Sequence, residues 1–148
     1  MNSALQAELD HALTATVEEM RLAVEQLADA LQTERTALAT ADVEALNQAG
    51  ASKHDLMVRL EQLDSERVQL SQSAPAASHA LAPLWQQVLQ SLRACQQLNQ
   101  RNGYLVGLRL QQVRKALAVL TGNDTEPSVY SRGGELHTSL RSQTLAEA

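Results

Sequence analysis

A chain of 148 residues, 44% apolar and 20% charged, holds about one domain of a folded protein. Aromatics are 2% of it and phenylalanine is absent. That excludes a core built on ring bulk and leaves Leu, Val and Ala, with abundant Gln and Glu, to pack as long helices.

The net charge of −5 is unevenly spread: residues 1 to 66 carry thirteen acids and four bases, residues 67 to 123 six bases and no acid, and residues 124 to 148 four acids and two bases. Either an acidic pair of helices packs against a basic one, or the basic stretch is a surface for a partner. The lone Cys95 excludes an internal disulfide. No secretory pattern opens the chain, and no run reaches the roughly 20 apolar residues of a membrane span. These features predict a cytoplasmic protein without membrane insertion.

Ser3 and Gln6 have capping-box spacing and predict a helix start. From there Leu5, Leu9, Leu13, Val17, Met20, Val24, Leu27, Leu31 and Leu38 recur at steps that keep one narrow stripe. The first helix is expected over residues 3–38. Thr40 is a candidate cap for a second helix over residues 41–72, with Asp42 and Glu44 in its first turn. So short a connection forces an antiparallel hairpin. The second stripe is Val43, Leu46, Gly50, Lys53, Leu56 with Met57, Leu60, Leu63, Arg67 and Leu70. Gly50 and Lys53 interrupt it, and close approach of the first helix or a bend would account for the glycine.

Ser71 to Ala82, with Pro75 and clustered Ser and Ala, reads as a loop. Pro83 fits only the first turn of a helix, so the third helix is expected over residues 80–121, with Gly122 as its C′ glycine. Asn99 and Asn102 fall on its seam, where a polar side chain fixes register and partner. Gly103 and Gly107 read as small residues that permit close helix approach. Beyond them Tyr104, Leu105, Val106, Leu108, Leu110, Val113, Ala116, Leu117, Val119 and Leu120 cover well over half the circumference. A helix so apolar must be covered on more than one side, by the hairpin or by a second protein. The expected architecture is therefore all-α: an antiparallel hairpin plus a third long helix, forming a coiled-coil-like domain at 1–122. A flexible polar tail at 123–148 follows, in which Tyr130 is the conspicuous anchor.

Sites for chemistry are not legible. His11, His54, His79 and His137 are scattered, with no metal-ligand spacing among them or beside Cys95. Neither a Walker loop nor a dinucleotide fingerprint is present. Arg93, Arg101 and Arg109 turn by about 80° from one to the next and so line no nucleic-acid stripe. The chain reads as a non-enzyme without cofactor or metal.

Lys53 to Arg67 has the form K-x-x-L-x-x-x-L-x-x-L-x-x-x-R, Asn99 to Gly103 the form N-x-x-N-G ahead of an amphipathic helix, and Val129-Tyr130-Ser131-Arg132-Gly133-Gly134 follows. With the Leu/Gln/Glu hairpin, these elements resemble the FlgN family of flagellar type III export chaperones over nearly the whole chain. The resemblance implies a cytoplasmic chaperone that holds hook–filament junction proteins and delivers them to the export gate. Its client-binding helix maps onto Leu105, Val106, Leu108, Leu110, Val113, Leu117 and Leu120, and Tyr130 maps onto docking with the export gate membrane protein, with the export ATPase complex as a further candidate partner. Pro83 and the long polar tail depart from the family's pattern. Two other readings stay open: a structural or self-associating coiled coil whose apolar face is a homodimer interface, and an export chaperone of the filament-cap type.

Overall fold

A computed structural model describes residues 2–122, and every regular element in them is helical. The helices are α1 (Ser3–Thr40), α2 (Val43–Ser73), α3 (Pro75–Ala80) and α4 (Ala82–Thr121). The all-α class is as the sequence predicts, but there are four helices among the described residues where the pattern gave three. The predicted tail, with Tyr130, lies outside the described residues.

Each helix end is set by local chemistry. At the start of α1 the cap is Asn2, one residue before the predicted Ser3, and its Oδ1 accepts from the Ala4 amide at 3.1 Å. Gln6 does not reach back as a capping box would; its amide donates forward to Asp10 at 2.9 Å. Thr40 is the last residue of α1 and not a cap. Asp42 caps α2 instead, accepting from the Ala45 amide at 3.1 Å. That leaves two residues to reverse the chain, and Ala41 does so in the left-handed region at φ 56°, a conformation that costs a non-glycine residue about 1 kcal/mol.

The predicted loop at 71–82 is mostly helix. Pro75 removes a donor and pushes Ala74 out of the helical region, to φ −134°. It then serves as the first residue of α3, where no amide is needed. Hydrogen bonds continue on both sides, from the Ala74 amide to Leu70 at 2.8 Å and from the Ser78 amide to Ala74 at 3.0 Å. The alanine-rich segment therefore resumes as helix after a single non-helical residue. Pro83 falls in the first turn of α4, and Gly122 closes that helix at φ 77°.

The chain divides into two compact units, Met1–Leu105 and Val106–Ala148, and α4 runs from one into the other. In the first unit α1 supplies Leu13, Val17, Met20, Val24, Leu27 and Leu31 to the core, meeting Leu60 and Leu63 of α2, Ala74, and Val88 and Cys95 of α4. Each fully buried Leu or Met there contributes about 1.5–3 kcal/mol. Cross-helix contacts fix the directions. Glu34 pairs with Lys53 and Glu19 with Arg59, so α2 runs antiparallel to α1. Cys95 donates to the Val24 carbonyl and Asn102 to the Leu31 carbonyl, each 71 residues away. Both ends of that contact advance by one heptad together, so α4 runs parallel to α1 here.

Two details of the second stripe differ from the expectation. Val43, at the hairpin end, and Met57, in mid-helix, are exposed. An added Cβ at Gly50 would find no neighbouring atom within 4 Å, so close approach is not what places a glycine there. The same is true of Gly103 and Gly107. In the second unit residues 106–121 continue α4.

Candidate functional site

The last four turns of α4 carry the apolar side chains singled out above. Val106, Leu108, Leu110, Val113, Leu117 and Leu120 are exposed, Leu120 at 81%, and Leu105 is half-buried. Val119, outside the predicted client-binding set, is 66% exposed. At about 100° per residue, Val106, Leu110, Val113, Leu117 and Leu120 project within an arc of about 80°. Leu105, Leu108 and Val119 form a second, shorter row about 120° away. The seven predicted positions therefore make one continuous stripe of five and a flank. Arg109 stands between the rows, Arg114 borders the stripe on its other side and Lys115 lies on the far face, and no acid lies anywhere in α4.

The helix ends at Thr121, whose hydroxyl donates to the Leu117 carbonyl at 2.8 Å, and at the left-handed Gly122. Leu, Val, Gln and Arg hold helical geometry up to that stop, with Gly107 as the one weak residue.

Upstream, a polar clasp joins three helices within the first unit. Asn102, 1% exposed, donates its amide to the Leu31 carbonyl and to Glu34, both at 2.9 Å. The other carboxylate oxygen of Glu34 accepts from Lys53 at 2.9 Å, and Lys53 also donates to the Asn99 carbonyl oxygen at 3.0 Å. Asn99 itself is exposed, and Gly103 is exposed beside Asn102. The Asn102 carbonyl oxygen is buried without a partner. Hydrogen bonds to charged groups contribute about 1.5–3 kcal/mol each and are directional, so the clasp locks the register of α4 against the hairpin.

Glu34 was the residue the stripe did not announce. It occupies the position between Leu31 and Leu38 where the apolar pattern skips, and Lys53 occupies the matching gap in α2. A carboxylate in one seam and an ammonium in the next was the available signal. Among the described residues no group of three His, Cys, Asp or Glu side chains is placed to hold a metal, and no helix is long and apolar enough to cross a membrane. Burial pushes the Cys95 thiol up.

The arrangement offers apolar area and positive charge in place of reactive groups. Comparison with known proteins gives it a setting. A family model described as FlgN protein matches residues 1–138. The chain is similar to the flagella synthesis protein FlgN of Salmonella typhimurium and to that of Salmonella typhi, each 26% identical over 132 residues, which is 87% of this chain and 93% of theirs. No solved structure matches it.

Proposed function

Since this chain belongs to the FlgN protein family, we propose that it is a non-enzymatic, cytoplasmic chaperone of flagellar protein export that holds hook–filament junction proteins on the end of α4 and delivers them to the export gate. The helical part, residues 1–122, is the domain that presents the client face. Residues 123–148 carry Tyr130, which docks to the gate's membrane protein, with the export ATPase complex as a further contact.

One observation carries the reading: five large side chains from Val106 to Leu120 form an exposed apolar stripe along one helix face. Covering them at about 2 kcal/mol each yields a gross gain of about 10 kcal/mol. Ordering a client segment that folds on contact costs about 2–5 kcal/mol, which leaves binding in the micromolar range or weaker. That suits a carrier that must release its cargo. The mode is helix against helix face, read through anchors at i, i+4, i+7.

Co-purification with hook–filament junction proteins tests it. The expected result is a complex with the natural chain that is lost in Val113→Asp and retained in a variant altered on an exposed polar site such as Gln87→Glu. No complex at about 1 mM, above the weakest affinity expected, together with a stable dimer by light scattering, would replace this reading with self-association.

A further inference from the structure

We propose that the cleft lined by Arg35 of α1 and by Gln97, Gln100, Arg101, Tyr104 and Leu105 of α4 is a docking site for an acidic amphipathic segment of a partner protein. A carboxylate sits between the two guanidinium groups, and an apolar side chain lies against Tyr104 and Leu105. The cleft measures about 460 Å³, room for two or three side chains. It deepens the client-holding reading, on which it rests for the source of the segment.

Charge is the first argument. Arg21, Lys53, Arg59 and Arg67 each have a carboxylate partner within the first unit. Arg35 and Arg101 have none among the described residues. The reason is local: Glu34, the neighbour of Arg35, turns its carboxylate the other way and gives both oxygens to Lys53 and Asn102. No acid lies in α4, and none lines the cleft. Two guanidinium groups on different helices, both exposed and uncompensated, match a carboxylate in a planar, forked geometry that lysine could not supply.

Shape is the second argument. Tyr104 is 69% exposed, so its ring stands free beside the charges with a hydroxyl at its far end. Gln97 and Gln100 add amides that satisfy backbone or side-chain polar groups. A partner rich in phosphate fits less well, because residues 1–66 carry thirteen acids and four bases, a field that repels a polyanion. A short segment with one or two carboxylates escapes that repulsion.

The test uses the full chain and three fluorescent helical peptides with one shared leucine pattern, their polar positions all Glu, all Gln or all Lys. Anisotropy at low and high salt is expected to show the Glu peptide bound about tenfold more tightly than the Lys peptide, with the gap closing in salt. In Arg35→Gln/Arg101→Gln the preference disappears while the helical circular dichroism persists, since both side chains are exposed. A preference unchanged in the double variant overturns the proposal. So does a single-stranded oligonucleotide that the natural chain retains and the double variant loses. Junction-protein co-purification runs alongside. If the natural chain keeps the peptide preference but holds no junction protein, the client reading fails alone; if it holds the client and shows no preference, the cleft fails alone.

Discussion

Glu34 and Asn102, 68 residues apart in sequence, meet at 2.9 Å in the interior, and Glu34 meets Lys53 at 2.9 Å through its other oxygen. One carboxylate thus ties α4 to both arms of the hairpin.

Asn102→Ala is expected to destabilise the fold by about 2 kcal/mol, because it breaks two bonds and leaves Glu34 partly unsatisfied. Lys53→Ala costs a similar amount, about 2 kcal/mol, since a carboxylate 7% exposed loses its cation. The Lys53 side chain is 25% exposed, which keeps the figure at the lower end for a broken ion pair. The two changes share Glu34, so the double variant departs from the sum by about 1 kcal/mol. Urea unfolding measures all three, and strict additivity would sink the clasp as a unit.

Gly50→Ala is expected to raise stability by about 0.5–1 kcal/mol. The position lies inside α2, its φ is not positive, and an added methyl meets nothing within 4 Å. Alanine then gains its full helix preference over glycine. A lower urea midpoint in the variant would show that something needs that space.

Gly50 also marks where sequence reasoning stops. The period located α1 and its buried face from Leu13 to Leu31, because one helix's packing repeats along its own sequence. What lies across a seam is not periodic. Lys53 breaks its stripe because Glu34 lies opposite it, and Gly50 has no neighbour to approach. Caps moved from Ser3 to Asn2 and from Thr40 to Asp42, because neighbouring polar residues compete for the same amides within a residue or two. Pro75 was read as a loop because a helix start and a helix break use the same residue. The apolar run at 105–120 was legible as a surplus, and its division into a stripe of five and a flank follows once the helix is continuous to Thr121.

Trp85 reports on a second junction. The Arg67 guanidinium lies 4.0 Å from the centre of its ring, and Arg67 also pairs with Asp64 at 3.0 Å. Arg67→Met keeps the aliphatic stem and removes the cation, so the loss is expected to be about 0.5–1 kcal/mol. Trp85 is the sole tryptophan of the chain. Its emission is expected to shift in the folded variant and to coincide with the parent's on unfolding. An unchanged folded spectrum would mean that the cation does not sit on the ring in solution.

Cys95 is 5% exposed, and its thiol donates weakly to the Val24 carbonyl at 3.8 Å. Burial raises its pKa, because the interior disfavours the thiolate. The sign follows from linkage: a raised folded-state pKa contributes stability that is fully present below the unfolded thiol's range and is lost as pH rises through the folded value. Stability is therefore expected to hold up to about pH 8 and to fall above it, and in Cys95→Ala that fall is expected to flatten. Thiol labelling supplies an independent readout, since a buried protonated sulfur reacts only when the helices open. Reagent uptake is expected to be slow in the native protein and to accelerate in Asn102→Ala, which loosens α4 one heptad away. Labelling as fast as a free thiol at neutral pH would place Cys95 at the surface and remove it from the core.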